Sequence, residues 1–137
     1  MIREIIHDPI MLKIKSKDAT ADDVQISIDL AETLTHHKDG CVGMVLNMIG
    51  ASKRIIAFYD DKKIVTMFNP EIIAKNQPYE TKEGCLSLLG EPRAVIRYKS
   101  IKVRYQGKYM KFHEKHYSSF TAQIIQHEID HCNGVLI

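Results

Sequence analysis

A chain of 137 residues, 45% hydrophobic and 26% charged, has the composition of a globular domain rather than of a disordered or fibrous segment. Its formal net charge of +2 is too small to predict a nucleic-acid partner, and no apolar run approaches the ~18 residues of a membrane span. The stretch from Met1 to Pro9 mixes both charges with apolar residues, so the expectation is a single domain over 1–137, located in the cytoplasm, without direct contact to nucleic acid or membrane. Three cysteines, Cys41, Cys85 and Cys132, lack a regular spacing, which argues against a disulfide framework and for reduced thiols or metal ligation.

The first predicted element is a helix over about Ala21–Leu34. Thr20 followed by Asp23 forms a capping box with Asp in place of Glu, and Val24, Ile28, Ala31 and Leu34 recur at helical spacing. Gly40 is the expected left-handed stop, and Gly40 to Gly43 reads as a loop. Two strands, Arg54–Tyr59 and Ile64–Phe68, flank a polar turn and predict a hairpin that Asn69 and Pro70 end. Three further strands are expected between about Ala94 and His116, with a turn at Gln106, Gly107 and Lys108. Ser118 or Ser119 caps a last helix to Cys132, stopped by Asn133 and Gly134. Strands in runs between terminal helices predict an α+β fold, with mixed or antiparallel sheets packed around the C-terminal helix.

That last helix carries the chemistry. His127, Glu128 and His131 satisfy H-E-x-x-H, a pattern in which residues four apart share one helix face, so both imidazoles reach one ion while the glutamate approaches its water. Two histidines at this spacing also occur by chance on a surface, and Cys85 taken alone is a small buried hydrophobe. Together the cysteine and two histidines make three protein ligands with a fourth position left for water, which is the pattern of a catalytic rather than a closed structural site. Cys132 lies about 140° around the helix from His127 and is assigned to the core.

With Glu83 to Ser87 reading E-G-C-L-S and Gln126 to His131 reading Q-H-E-x-D-H, the sequence resembles the peptide deformylases over most of its length. The family's first motif, G-x-G-x-A-A-x-Q, is matched only in part by Cys41 to Met48, where Val45 and Leu46 replace the paired small residues and Met48 replaces the closing Gln. The resemblance implies a hydrolase that removes the formyl group from formyl-methionyl nascent chains, a function that brings it near the ribosome. It also implies one divalent ion, Fe(II) first with zinc or nickel as substitutes, held by Cys85, His127 and His131. Glu128 is then the acid and base, and the Leu86 N–H stabilises the oxyanion.

For the substrate, backbone groups of Val42, Gly43 and Gly84 are expected to hold an added peptide strand, with Gly43 permitting the close approach. Phe120 and Ile124, on the face of His127, line a methionine pocket or simply pack in the core. Arg97 orients the substrate or forms a structural ion pair, and Asp130 is a supporting hydrogen-bond acceptor or a solvent-facing carboxylate. Met48 cannot donate to an oxyanion, which predicts reduced activity, and Asn47 would reach the site only through a local bulge. Two alternatives stay open: a hydrolase of a related N-acyl amide, and a non-catalytic paralogue that binds metal or peptide.

Overall fold

The computed structural model describes residues 1–84 and 91–135. A short helix α1 (Pro9–Leu12) opens the chain, with the Asp8 carboxylate accepting the Ile10 N–H at 2.9 Å and Pro9 in the first turn. The Thr20 and Asp23 capping box forms as the sequence predicts, and it caps a 3-10 turn (Ala21–Asp23) that runs directly into α2 (Val24–His36). Gly40 does not supply the left-handed stop. Among the described residues the positive-φ glycines are Gly50 and Gly134, and α2 unwinds instead through successive turns, with His37 N–H on the Thr33 and Leu34 carbonyls and Gly40 N–H on His37.

The strands β1 (Gly43–Val45), β2 (Ile55–Asp60), β3 (Lys63–Glu83), β4 (Arg93–Gln106) and β5 (Phe112–Ser118) pair antiparallel with their sequence neighbours. Among the described residues they form a five-stranded meander in the order β1-β2-β3-β4-β5. Two strands, not three, occupy the segment after Arg93, joined by the Gly107–Lys111 turn.

Asn69 and Pro70 do not end the hairpin strand. β3 runs through them because the register shifts between Phe68 and Glu71, so the N–H that proline lacks falls in a bulge rather than in a regular ladder. Asn69 takes the left-handed conformation (φ 52) and uses its side chain to brace the bulge. Its amide accepts Ala19 N–H at 2.7 Å and donates to the Ala19 carbonyl and to Gln106. Continuing past the bulge, β3 carries Tyr79 and Glu83 out beside the last helix.

Helix α3 (Ser119–Cys132) lies against the sheet and buries Ile125, Ile129 and Cys132 among Phe58, Met67, Phe68, Ile101 and Val103, with Leu30 and Leu34 of α2 completing the core. Ser118 occupies the cap position but makes no side-chain cap bond. Gly134, at φ 77, closes the C-terminal end, as the Asn133 and Gly134 pair predicts. A further tie holds α3 to β4: Gln126 accepts the Tyr98 N–H and donates to the Tyr98 carbonyl, both at 2.8 Å, standing in for a neighbouring strand. No helix among the described residues is long and apolar enough to cross a membrane.

The bulge brace yields a stability prediction. Asn69→Ala removes three side-chain hydrogen bonds and leaves in the left-handed region a residue that tolerates it less well than asparagine, so urea unfolding should show a loss of about 1–3 kcal/mol. Asn69→Gly, which retains the backbone freedom but not the bonds, should recover only part of it.

Candidate metal and catalytic site

Three elements converge on a cleft of about 250 Å³: the 40–43 edge, the 82–84 end of β3, and the face of α3 that carries Phe120, Gln123, Ile124, His127 and Glu128. His127 and Glu128 are buried in its floor, and His131, one turn on, is fully buried. The helical spacing does what the sequence predicts. The two imidazoles stack along one face with their Nε2 atoms 3.1 Å apart.

The protonation of that pair is set by its neighbours. Glu83 Oε1 lies 2.8 Å from His127 Nδ1. Burial works against the Glu83 charge, but the His127 bond and Arg97 outweigh it and hold the carboxyl at about 2, so it is an acceptor and His127 Nδ1 carries the proton. The His127 Nε2 atom points at His131. Burial first, and the neighbouring His127 second, push His131 down to about 3, so it stays neutral. Imidazole nitrogens this close call for a proton or a cation between them. Nitrogens ligating one tetrahedral ion at the usual ~2.0–2.1 Å would stand about 3.3 Å apart, close to the separation found. The donor set fits a divalent ion.

The third expected ligand, Cys85, and the expected oxyanion donor, Leu86, lie outside the described residues. Among the described residues no group of three His, Cys, Asp or Glu side chains forms a metal cluster. Cys132 is no substitute, because burial pushes its thiol up to about 12 and it packs in the core, as expected.

Glu128 reaches the same floor. Burial raises its carboxyl to about 7, and its Oε1 is a buried oxygen without a hydrogen-bond partner among the described residues. Gly43 explains how the carboxylate fits: a Cβ there would sit 2.7 Å from Ile124 Cγ2 and 2.8 Å from Glu128 Oε2. The close approach at Gly43 is thus to α3 itself.

Other predicted site residues divide. Val42, Gly84, Phe120 and Ile124 all line the cleft, with Phe120 exposed over it and Ile124 buried in its wall. The Val42 carbonyl, however, accepts the Tyr59 N–H at 3.0 Å, so in β1 it is Gly43 whose main chain alternates toward the cleft. Arg97 does not line the cleft. Its buried guanidinium bonds Glu83 at 2.7 Å and Asp130 at 2.6 Å, which is the structural ion pair rather than a substrate contact. Asp130 accordingly faces Arg97 and not solvent alone.

The divergent first motif also resolves. Val45, Leu46 and Met48 are buried in the core and none lines the cleft. The segment is not extended past Val45: Leu46–Ile49 is a 3-10 turn, and Asn47 donates to the His131 carbonyl at 2.9 Å, so its amide is spent on the backbone of α3.

Sequence reasoning names Glu83 and Gln126 as motif residues without giving either a role. Only the packing of β3 and β4 on α3 shows Glu83 as the partner of His127, and Gln126 as the tie to β4. Gln123, which donates to Glu83 Oε2 at 2.9 Å, belongs to no motif, although its place four residues before His127 puts it on the same helical face.

Comparison with known proteins agrees with this geometry. Residues 2–137 match the family model for polypeptide deformylase. A peptide deformylase from Clostridium beijerinckii is 44% identical over 137 residues, covering the whole of both chains. The crystal structure of peptide deformylase from Thermotoga maritima superposes with a TM-score of 0.90 at 30% identity, covering 99% of this chain and 95% of that one. A Met-Ala-Ser-bound class I type b peptide deformylase from Acinetobacter baumannii gives a TM-score of 0.89 at 26% identity, covering 99% and 97%. The chain belongs to the polypeptide deformylase family, hydrolases that remove the formyl group from the N-terminal methionine of peptides.

Proposed function

We propose that the chain is one deformylase domain working in the cytoplasm on N-formylated nascent peptides as they leave the ribosome. In this reading one divalent ion is held by Cys85, His127 and His131. The ion is Fe(II), with zinc or nickel able to replace it, since a thiolate and two imidazoles suit all three. The observation that carries the reading is the convergence of two buried imidazole nitrogens, one of them beside Glu128 in the floor of an open cleft. A closed structural site has no use for a buried carboxylate at an accessible position, which argues against a non-catalytic paralogue.

When bound, the ion supplies Lewis acidity, polarising the formyl carbonyl and bringing the pKa of a water toward ~7. Glu128 takes the proton of the attacking water and returns it to the leaving amine, a role its place beside His127 in the cleft floor allows. The Leu86 N–H donates to the developing oxyanion. Main-chain groups of Gly43 and Gly84, on opposite sides of the cleft, hold the peptide as an added strand, while Val42, Phe120 and Ile124 take its first side chain. The Met-Ala-Ser peptide on the Acinetobacter baumannii relative supports a short methionyl peptide as the occupant. Arg97 acts from behind, by holding Glu83.

Formate release from formyl-Met-Ala-Ser, with protein loaded anaerobically with Fe(II) and in parallel with zinc, tests the reading. Glu128→Ala should lose about 10²–10⁴ in kcat while retaining its metal; absence of turnover in every metal form of the unaltered protein would sink the proposal. The missing oxyanion donor makes a second prediction. Met48→Gln should raise kcat by about tenfold at most, because the position lies in the core and not in the cleft lining, and should lower Tm because an amide enters the apolar core. An unchanged kcat would show that Met48 does not limit the reaction.

A further inference from the structure

Behind the metal ligands lies a chain of side chains that ends at the surface of β3. Tyr79 Oη donates to Gln123 Oε1 at 3.2 Å, and Gln123 Nε2 donates to Glu83 Oε2 at 2.9 Å. The other carboxylate oxygen, Glu83 Oε1, faces His127 Nδ1 at 2.8 Å. Arg97 grips Glu83 in a fork, Nη2 on Oε1 at 2.7 Å and Nε on Oε2 at 3.0 Å. A fork holds the carboxylate in plane but lets it slide along the guanidinium, and sliding moves Oε1 off the His127 N–H.

Gln123 supplies the stop. Its NH₂ donates to Oε2 at 2.9 Å, the oxygen that also accepts from Arg97 Nε, and the Tyr79 hydroxyl anchors the far end of the amide. With the amide reversed, its oxygen would meet the carboxylate, so Glu83 selects the NH₂ end while the Tyr79 hydroxyl anchors the other end and limits swinging of the amide. From this we infer that Gln123, oriented by Tyr79, is a positioning residue for the metal ligand His127, acting through Glu83. The inference rests on the proposed metal site. Gln123 also lines the cleft, so the competing role is that of a simple wall for the substrate side chain. The two roles predict opposite kinetic signatures.

Gln123→Met keeps the bulk of the wall and removes the donor; Tyr79→Phe, at a half-buried position, removes only the orienting hydroxyl. Protein stripped of metal would be titrated with zinc, and separately with Co(II), whose visible absorption reports the ligand field. Gln123→Met should weaken metal affinity about tenfold, the lower end of the 10–100-fold typical of residues that orient a ligand, and should shift the Co(II) bands. Its kcat with metal at saturation should fall while KM for formyl-Met-Ala-Ser changes less than about twofold. Tyr79→Phe should weaken affinity about two- to threefold in the same direction, and the double variant should be no worse than Gln123→Met, because the two act in series. Unchanged zinc affinity and Co(II) bands in both variants, with KM raised in Gln123→Met, would overturn the inference and leave Gln123 as wall, with the metal reading intact. Failure of the unaltered protein to bind either metal would overturn both.

Discussion

The Glu83 carboxylate is the point on which the site depends. It sits at the end of a 21-residue strand, accepts from Arg97 of the neighbouring strand, and faces His127 of the last helix, so one anion joins three elements. Burying that charge is costly by itself, and removing any one partner would leave an uncompensated ion in the interior. Here every oxygen is bonded at least twice among Arg97, His127 and Gln123, which is the condition under which a buried carboxylate is stable. The consequence for chemistry is direct. Because Glu83 stays ionised, it accepts from His127 Nδ1 and fixes the ring so that Nε2 is the nitrogen on the His131 side.

Seating of the helix completes what the carboxylate begins. Gln126 substitutes for a strand beside Tyr98, and Asn47 reaches the His131 carbonyl from the 3-10 turn after β1. Gly43 lets β1 come within van der Waals contact of Glu128. Each contact fixes α3 from a different side, so rotation or translation of the helix would break several at once. The two imidazoles are therefore positioned by the fold itself, which limits the ordering that a ligand bound there would have to supply.

The departures in the first motif separate into two kinds. Val45 and Leu46 enlarge the core below the cleft without entering it, so the lining of the site is kept. Met48 and Cys41 touch function more closely. Met48 puts an apolar side chain in the core where the family motif has a Gln, and the Cys41 thiol, in the cleft lining, donates to the Gly43 carbonyl at 2.9 Å. Asn47 cannot replace the lost donor, since its amide already serves the backbone of α3.

What the amino-acid order determined by itself was mostly local. Helical periodicity placed His127, Glu128 and His131 on one face, and the capping box at Thr20 and the stop at Gly134 are set within a few residues of chain, so all were legible. The two intact motifs, each a short run of chain, likewise pointed to the family without any tertiary contact. Asn69 and Pro70 misled because a strand end and a bulge use the same residues; only the partner strand, resuming register at Glu71 against Arg104, decides between them. Tertiary structure alone also decided the roles of Glu83, Arg97 and Gln123. Their partners lie 14 to 44 residues away in sequence, and a hydrogen bond between side chains so distant leaves no period or spacing in the chain that makes it.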